Sequence, residues 1–385
     1  MASILDLLLS QLQGLSAQSP ELAQACAPLT ARVSTPPRIV IVGRLKAGKS
    51  TLLNALVGAP VAETKALEAT NVVTVYQYGA PDRAEAMLRN GQRVPIQTMR
   101  GEVAALPAPP VDIAFIDRWM PASAVSNYTL IDTPGLATLT DENEATTRAA
   151  LIDGYEQTRS ASVDADAAMF LFDSAPRRDE VEFIQQLGFT PLNTMGVLSR
   201  ADSFGEGALG EVDPMVAAGH HAVKLQHELA SYVGRVMPVS GLLAQTAATG
   251  VVTEALTRQI ARVTAMPRTE LITELFRGDP DESHSALHNI TNVIDVVGEY
   301  GLFLGADEAA QGAATFNEWL TQSSGIGALR QVLEQELSTY AYLHRAGEIL
   351  ADMETMVYRH PAYSDAIRQA VSTVRNHPAA IPAKL

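Results

Sequence analysis

The chain has 385 residues, of which 47% are hydrophobic, so it can bury an ordinary core and does not have the composition of a disordered polypeptide. Its formal net charge of −15 at pH 7 argues against nucleic acid as a partner, because phosphate backbones repel an acidic surface. The single cysteine, Cys26, excludes an internal disulfide, and the first residues lack a signal-peptide pattern, so we expect a cytoplasmic protein.

Strands and helices alternate after two short helical patterns in residues 1–36. Six short apolar runs predict strands, at 38–43, 72–78, 128–131, 167–172, 195–198 and 235–239. Helical patterns lie between most of these runs, which predicts a mainly parallel sheet covered on both faces. The pair Asn90-Gly91 predicts an antiparallel hairpin after the second strand.

Strand signals end at about residue 266. Apolar residues then recur at helical spacing from Ile326 to Val357, which predicts one long amphipathic helix of about 30 residues. The glycine- and proline-containing sequences at 278–281 and 323–327 predict breaks between helices. The last third of the chain is therefore expected to be helical.

The segment between the first strand and the next helix has the pattern of a P-loop, which binds the phosphates of a nucleotide. It comprises Gly43, Arg44, Leu45, Lys46, Ala47, Gly48, Lys49, Ser50 and Thr51. The two end glycines, Gly43 and Gly48, let the backbone N–H groups face the phosphates, and the helix N-terminus adds positive partial charge. Lys49 is expected to reach the β- and γ-phosphates, and the Ser50 hydroxyl is expected to bind Mg²⁺.

A second phosphate-side motif, Asp-Thr-Pro-Gly, follows the strand at 128–131. Its carboxylate, Asp132, is delivered to the carboxyl end of that strand, where it can hold Mg²⁺ through water. Its glycine, Gly135, is expected to offer its backbone N–H to the γ-phosphate. Such a tetrad is common in turns, and its position after a strand and downstream of a P-loop is what makes it specific.

Guanine specificity is predicted from the sequence Ser-Arg-Ala-Asp that follows the fifth strand. The carboxylate of Asp202 can pair with the N1–H and N2–H₂ groups of guanine, which adenine lacks. Arg200 can lie flat on the base, and Ser199 stands where Asn or Thr is usual. The backbone at Ser240 and Gly241 is expected to approach the guanine O6. A plain surface turn is the alternative, and ATP binding would follow if Asp202 were wrongly placed.

A threonine between these two phosphate motifs should fold over Mg²⁺ and the γ-phosphate. Thr64 and Thr70 are the candidates. We favour Thr70, because it directly precedes the strand at 72–78.

The P-loop with its Leu-Leu-Asn-Ala-Leu-Val-Gly extension, the Glu-Ala-Thr-Asn-Val-Val-Thr sequence at 68–74 and Leu-Ile-Asp-Thr-Pro-Gly-Leu at 130–136 resemble bacterial dynamin-like GTPases. The Leu-Ser-Arg-Ala-Asp and Pro-Val-Ser-Gly-Leu-Leu sequences are most similar to the actinobacterial isoniazid-inducible branch. The resemblance covers about residues 37–261. It implies binding of GTP and GDP with Mg²⁺, a head that pairs with a second copy or a paralogue, and remodelling of membranes, with peripheral attachment to the inner face of the cell membrane. It also implies that Thr70 is the switch threonine and Asp202 the guanine reader.

The predicted fold is therefore α/β, a P-loop GTPase domain with a mainly parallel sheet, plus an α-helical neck or bundle formed by the N- and C-terminal helices. We assign residues 1–36 to helices that join the neck and residues 37–265 to a dynamin-type GTPase domain. Residues 266–385 are assigned to a helical neck or stalk, either complete or shortened.

The hydrolytic residues depart from the family pattern. Leu45 and Lys46 occupy the positions where dynamins usually carry Gln-Ser, and Leu136 stands where Ras-type enzymes carry a water-orienting glutamine. Lys46 is our candidate for an internal cation that acts with Lys49 and Thr70 in catalysis. A solvated loop lysine is the alternative, and a role for Arg44 across a dimer ranks lower.

Two other functions are compatible with the motifs. The departures at Leu45 and Leu136 allow a GTP-gated regulatory switch that hydrolyses little and does not act on membranes. A GTPase of the ribosome-assembly type would need an RNA-binding domain after the head, and the acidic helical tail argues against one.

Overall fold

A computed structural model describes residues 4–44, 46–61, 72–99, 102–103, 105–134, 165–277 and 285–378. The predicted roles of Leu45, Thr64, Thr70, Gly135 and Leu136 fall outside these ranges and stay predictions.

The first part of the described chain contains two helices, the strands of the sheet and the helices between them. In chain order these are α1 (Ile4–Ser16), α2 (Pro20–Ser34), β1 (Arg38–Gly43), α3 (Lys49–Val57), β2 (Thr74–Tyr78), β3 (Arg83–Leu88), β4 (Arg93–Ile96), β5 (Thr98–Met99), β6 (Glu102–Val103), β7 (Ile113–Met120), β8 (Thr129–Asp132), β9 (Ala167–Phe172), α4 (Arg178–Gln186), β10 (Thr194–Ser199), α5 (Pro214–Glu228) and β11 (Arg235–Val239).

The remainder is helical, as the sequence predicts. It comprises α6 (Gly241–Ala248), α7 (Glu254–Thr264), α8 (Arg268–Arg277), α9 (Ser285–Leu304), α10 (Ala306–Ala310), α11 (Ala313–Ser323), α12 (Ile326–Val332), a π-helical segment (Leu333–Leu337), α13 (Ser338–Arg359) and α14 (Ser364–Arg375). The predicted long helix corresponds to α12, the π-helical segment and α13, and α14 is a further short helix.

Polar side chains fix where several helices begin. Ser19 accepts a hydrogen bond from Leu22 N at 3.1 Å and caps α2. Asp213 caps α5, Ser240 caps α6 and Thr253 caps α7 in the same manner. Each cap satisfies an N–H group that has no partner within its helix.

The main sheet has nine strands among the described residues, in the order β11-β10-β9-β1-β8-β2-β7-β3-β4. The five strands from β11 to β8 are parallel. β2 is antiparallel to β8 and parallel to β7. β3 and β4 form the antiparallel hairpin predicted at Asn90-Gly91. The predicted α/β fold class with a mainly parallel sheet is thereby confirmed.

Both faces of the sheet are covered by helices, as expected for parallel strands. One face packs against α3 and α12, and its core includes Ile41, Leu52, Leu56, Leu130, Leu171, Val197, Ile326, Leu329 and Leu333. The other face packs against α4 and α5, and its core includes Val40, Val42, Ile131, Phe170, Phe172, Phe183, Leu198, Ala222 and Leu225. Arg330 of α12 also donates a hydrogen bond of 2.7 Å to the carbonyl of Ala55 in α3.

Helices from the two ends of the chain form a separate bundle. Its core includes Leu8, Leu12, Leu22, Leu29, Ile349, Met353, Ile367 and Val371, from α1, α2, α13 and α14. This confirms the predicted association of the N- and C-terminal helices. A further core joins α6 and α7 to α9 and α11, so residues on both sides of position 265 pack together. The boundaries of the three predicted regions stay a prediction.

A buried ion pair connects this bundle to the sheet. Arg345 of α13 and Asp166, directly before β9, are each 2% exposed. The Arg345 guanidinium donates to Asp166 Oδ1 at 2.8 Å and to the carbonyl oxygens of Thr35 and Pro36 at 2.6 Å and 2.9 Å. Asp166 Oδ2 also accepts from the N–H of Arg38, the first residue of β1, at 2.6 Å.

Within the described ranges, we find no helix whose length and apolar character would let it cross a membrane.

Candidate nucleotide-binding site

The P-loop lies at the carboxyl end of β1 and leads into α3. A Cβ atom at Gly43 would stand 2.7 Å from the carbonyl oxygen of Leu171 in β9, so the neighbouring strand requires glycine here. Gly48 directly precedes α3 with φ of 89°, a left-handed conformation that glycine adopts at little cost. Both positions thus need glycine, Gly43 for close approach to β9 and Gly48 for its backbone conformation; their predicted role toward phosphates stays a prediction.

Lys49 lies inside the loop. Its side chain is 8% exposed, and Nζ donates to the carbonyl oxygens of Gly43 and Arg44 at 3.0 Å and 3.2 Å. Burial lowers the pKa of Lys49, and the nearby Asp132 carboxylate opposes that shift. A buried ammonium group held by two carbonyls is well placed to receive the negative charge of a phosphate.

Asp132 ends β8 on the same edge of the sheet. Its Oδ1 atom is buried and has no hydrogen-bond partner in the structure. Burial raises the pKa of Asp132 to about 6, while the positive charge of Lys49 opposes the shift. The next residue, Thr133, donates to the carbonyl oxygen of Ile41 at 2.7 Å and fixes the end of β8 against β1. Oδ1 of Asp132 is therefore a buried acceptor without a hydrogen-bond partner among the described residues, while the carboxylate also accepts from the backbone N–H of Thr133.

An unpartnered carboxylate oxygen beside the first turn of α3 fits a hard divalent cation. The hydroxyl of Ser50 is in that turn, and oxygen atoms are the ligands that Mg²⁺ prefers. The donor set predicted from sequence, Ser50 with Asp132, is therefore chemically suitable for Mg²⁺. Thr70, the third predicted ligand, is outside the described residues.

A cleft of about 340 Å³ opens beside the P-loop, at the carboxyl ends of β10 and β11. Its lining comes from three segments, namely the start of α3, the loop after β10 and the start of α6. The lining residues are Gly48, Thr51, Leu52, Val197, Ser199, Arg200, Asp202, Ser203, Val239, Gly241 and Leu242. The volume is at the lower end of that of ligand pockets, and the carboxyl edge of a parallel sheet is where such folds bind ligands.

The predicted base-reading residues converge on this cleft, but they use their polar groups differently. Asp202 and Arg200 line it, and Arg200 Nη2 donates to the carbonyl oxygen of Lys46 at 3.0 Å. Ser199 also lines it, while its hydroxyl donates to the carbonyl of Phe172 at 3.2 Å. The segment at 199–202 is thus hydrogen-bonded to the P-loop through Arg200 and to β9 through Ser199.

The hydroxyl and the backbone N–H of Ser240 both form hydrogen bonds within the protein. Its Oγ accepts from Leu243 N at 3.2 Å, and its backbone N–H donates to the carbonyl oxygen of Ser324 at 2.9 Å. Both groups are therefore engaged within the protein, and Gly241 is the residue of this pair that faces the cleft. A Cβ at Gly241 would lie 3.4 Å from Thr51, so the two segments that line the cleft are in close contact.

The remaining P-loop cations have distinct surroundings. Lys46 is exposed and has a left-handed backbone with φ of 65°. Arg44 Nε lies 3.6 Å from Oε1 of Glu180, a buried residue that also accepts from Arg177 N at 2.7 Å. Arg44 is therefore oriented toward α4. Ala47 donates its N–H to the Arg44 carbonyl at 3.1 Å and closes the turn.

Sequence reasoning did not find the contact between Arg200 and Lys46, or the role of Thr133. Neither has a signal in the sequence, because both join segments that are far apart along the chain.

Comparison with known proteins identifies the family. The model of the Dynamin family matches residues 39–198. In Mycobacterium tuberculosis, isoniazid-induced protein IniC is 32% identical over 363 residues, which cover 86% of this chain and 69% of IniC. Isoniazid-induced protein IniA of the same organism is 29% identical over 178 residues, 43% of this chain and 26% of IniA.

The chain also matches two solved structures at low identity. A chain of an oligomerised bacterial dynamin pair is 10% identical, has a TM-score of 0.39, and 92% of each chain is covered. Era in complex with MgGDPNP and a segment of 16S ribosomal RNA is 18% identical with a TM-score of 0.30, and our chain spans about half of it, 51%. From the sequence relatives, the chain belongs to the dynamin family of GTPases, in the branch of the isoniazid-induced proteins IniC and IniA.

Proposed function

We propose that this protein binds GTP with Mg²⁺ and hydrolyses it, that two heads associate when GTP is bound, and that this cycle remodels membranes. The observation that carries the nucleotide part is the position of a cleft directly beside the P-loop. Asp202 lines this cleft, and the adjoining loop buries Lys49 near Asp132, whose Oδ1 atom has no hydrogen-bond partner among the described residues.

Each group has a role that its surroundings support. The Asp202 carboxylate would accept hydrogen bonds from guanine, and the Arg200 guanidinium, tethered to the P-loop, would cover the base. Lys49 would bind the terminal phosphates, and Ser50 with Asp132 would hold Mg²⁺. When bound, Mg²⁺ would neutralise negative charge on the phosphates as the γ-phosphate leaves.

The source of the remaining transition-state stabilisation is proposed to be Lys46. Its exposed side chain belongs to a loop whose backbone is fixed by Arg200, so the lysine can turn toward the γ-phosphate without a change in the loop. Thr70 is proposed to close over the phosphate, as the family resemblance implies. Association of two heads would bring further groups to this edge of the sheet.

Self-association and action on membranes rest on family membership. IniC matches 86% of the chain, and one of the matching structures is of an oligomerised bacterial dynamin pair. For this chain we propose a homodimer, or a pair with a paralogue, formed through the head, with peripheral attachment to the inner face of the cell membrane.

Steady-state GTP turnover per molecule tests the proposal when it is measured over a wide range of protein concentration, with and without anionic liposomes. We expect turnover to rise with protein concentration and to rise further with liposomes. Lys49→Ala should abolish nucleotide binding and serves as the negative control. Turnover that stays constant and very slow at every concentration would contradict the mechanochemical part of the proposal.

The second candidate function is a GTP-gated switch that hydrolyses little. The orientation of Arg44 favours it, because a guanidinium directed toward Glu180 is not directed across a dimer toward a partner's nucleotide. In that case nucleotide binding would be tight, turnover would be independent of concentration, and liposomes would have no effect.

A further inference from the structure

Helix α9 is broken at Gly298, six residues before its last residue, Leu304. Gly298 has φ of 65° and ψ of 176°, a conformation that is essentially restricted to glycine. The break lies in a core, because Val297 and Leu302 are fully buried and pack with Leu243 and Ile260. It is therefore a feature that the surrounding packing maintains and not a frayed end.

The break brings the backbone of α9 against the proposed guanine reader. A Cβ atom at Gly298 would lie 3.6 Å from Oδ2 of Asp202 and 3.3 Å from Cδ2 of Leu242. Asp202 and Leu242 both line the nucleotide cleft. The backbone of α9 thus lies next to two residues that line the cleft, with room for a methyl group beside Asp202 and slightly less than that beside Leu242.

Hydrogen bonds hold the chain on both sides of the break. Before it, the carbonyl oxygen of Val296 accepts from the hydroxyl of Thr246 in α6. After it, the hydroxyl of Tyr300 donates to Oδ2 of Asp213 at 3.0 Å, and the Oδ1 of Asp213 accepts from Met215 N at 2.7 Å at the start of α5. The broken segment is thereby tied to the helices that follow each of the two base-side loops.

The Tyr300 hydroxyl remains a donor at neutral pH. Burial raises the pKa of Tyr300, and the carboxylates of Asp213 and Asp202 raise it further. Because the hydroxyl keeps its proton, it can donate to Asp213 at neutral pH.

We propose that the break in α9 is a positioning element for guanine recognition, in which Gly298 and Tyr300 hold the Asp202 carboxylate toward the N1–H and N2–H₂ groups of the base. This inference rests on the proposed function, because it requires that Asp202 reads guanine. Paired hydrogen bonds need the plane of the carboxylate to match the base edge. A side chain at position 298 would crowd Leu242, and a residue other than glycine adopts this backbone conformation only with strain, so Gly298→Ala should shift the segment of α9 that lies next to Asp202.

Equilibrium binding of GDP, IDP and ADP tests this inference, because IDP differs from GDP only by the missing N2 amino group. For the unmodified protein we expect GDP to bind about tenfold or more tighter than IDP, the effect of one hydrogen bond to a charged group. Gly298→Ala should reduce this ratio to below about threefold, because a displaced carboxylate costs GDP its bonds to both N1–H and N2–H₂ but costs IDP only the bond to N1–H.

Gly312→Ala is the matched control. Gly312 precedes α11 with φ of 113° and ψ of 171°, and a Cβ atom there would meet only the Glu254 carboxylate. The substitution therefore introduces backbone strain of the same kind at a distance from Asp202, and it should leave the ratio of GDP to IDP affinity unchanged.

Tyr300→Phe provides a second, milder variant that keeps the ring and removes the hydroxyl, with its hydrogen bonds to Asp213 and Ser323. It should reduce the ratio of GDP to IDP affinity in the same direction as Gly298→Ala, and it decides the question if Gly298→Ala does not fold. An unchanged ratio in Tyr300→Phe, or an equal loss of GDP and IDP affinity in a folded Gly298→Ala protein, would overturn the inference. A separate outcome, equal binding of GDP and ADP by the unmodified protein, would instead overturn guanine recognition itself.

Discussion

Arg200 and Lys46 are joined by a hydrogen bond of 3.0 Å, from Nη2 of the arginine to the carbonyl oxygen of the lysine. Both residues have left-handed backbones, with φ of 54° and 65°. Residues other than glycine adopt this conformation at a cost of about 1–2 kcal/mol. Because Arg200 and Lys46 both adopt it and are joined by a hydrogen bond, we infer that contact between the two loops helps to maintain both conformations. The bond spans the base side and the phosphate side of the cleft and fixes their separation.

Loss of this bond should speed nucleotide release. We expect Arg200→Ala to release GDP about tenfold faster, because a charge-assisted hydrogen bond and a planar cover for the base are both removed. Arg200→Lys should recover only part of the effect, since an ammonium group lacks the planar fork. Stopped-flow measurement with a fluorescent GDP analogue gives the rates.

The control for that measurement is Arg178→Ala. Arg178 is an exposed arginine on α4 that pairs with Glu182 at 2.8 Å, and its removal should leave release unchanged. Equal rates in Arg200→Ala and in the unmodified protein would show that the two loops are held together without this bond.

Asp202 should determine the choice of base. Asp202→Asn exchanges a carboxylate for an amide, so GDP affinity should fall by roughly 10- to 100-fold while affinity for xanthosine diphosphate rises. The gain is expected because xanthine carries a carbonyl where guanine carries its amino group. Isothermal titration with both nucleotides measures the exchange, and a loss of GDP affinity without a gain for xanthosine diphosphate would argue against direct pairing.

The pKa of Asp132 should make Mg²⁺ binding depend on pH. Burial raises this pKa to about 6, so in the nucleotide-free protein the group is partly protonated near that pH. Mg²⁺ binds the ionised carboxylate, and its affinity should therefore fall as the pH falls through this value. At a pH near this pKa, binding of Mg²⁺ with GDP should release about half a proton more per protein molecule than it does at a pH about two units higher, because the carboxylate is already ionised at the higher pH.

Titration calorimetry in buffers of different ionisation enthalpy measures this proton release. Asp132→Asn should release only the protons that come from the nucleotide, so the difference between the variant and the unmodified protein gives the protons released by the Asp132 carboxylate. If the variant and the unmodified protein release the same number of protons at both pH values, Asp132 does not carry the effect.

The ion pair between Arg345 and Asp166 should contribute more to the free energy of unfolding than the exposed ion pairs of the helical bundle do. Arg345→Met leaves the Asp166 carboxylate buried without its cation, and we expect the free energy of unfolding to fall by about 3–5 kcal/mol. The double variant Arg345→Met with Asp166→Asn should lose less than the sum of the two single losses. Urea unfolding followed by circular dichroism provides the values.

Arg32→Ala is the exposed counterpart. Its guanidinium pairs with Glu348 and Asp352 at 2.7 Å and 3.0 Å on the surface of the same bundle, so its removal should cost at most about 1 kcal/mol. A similar loss for Arg32→Ala and Arg345→Met would mean that burial adds nothing to the pair.

Local patterns allowed much of the head to be predicted. β-Branched runs mark the parallel strands, Gly43 and Gly48 mark the P-loop, and Asn90-Gly91 marks the hairpin, because in each case the residue type itself limits the backbone. The convergence of Asp202 and Gly241 on one cleft also follows from topology, since parallel strands present their carboxyl ends at one edge.

The contacts between distant segments could not be predicted. The periodicity from residue 326 onward predicts an apolar helix face, but it does not reveal that Leu329 packs on the sheet and Met353 in the bundle. Arg345 is a charge within that helix whose partner precedes it by 179 positions. Gly298 occurs in an apolar helical pattern that is compatible with an unbroken helix, and its conformation is set by its neighbours in space.

Residues 326–359 form a continuous helical rod about 50 Å long, at about 1.5 Å per residue. Its first turns are part of the core beneath the P-loop helix, and its last turns are part of the bundle. Such a rod acts as a lever, because a rotation of the bundle about its base is delivered to Ile326 and Leu329 unless the rod bends on the way. The π-helical segment at Leu333–Leu337 is where its hydrogen bonding changes, and Ser338 Oγ donates there to the Leu333 carbonyl at 2.7 Å. Bundle orientation and the packing under the phosphate site are therefore connected through this rod, and within it the π-helical segment is a place where the hydrogen bonding departs from that of an α-helix.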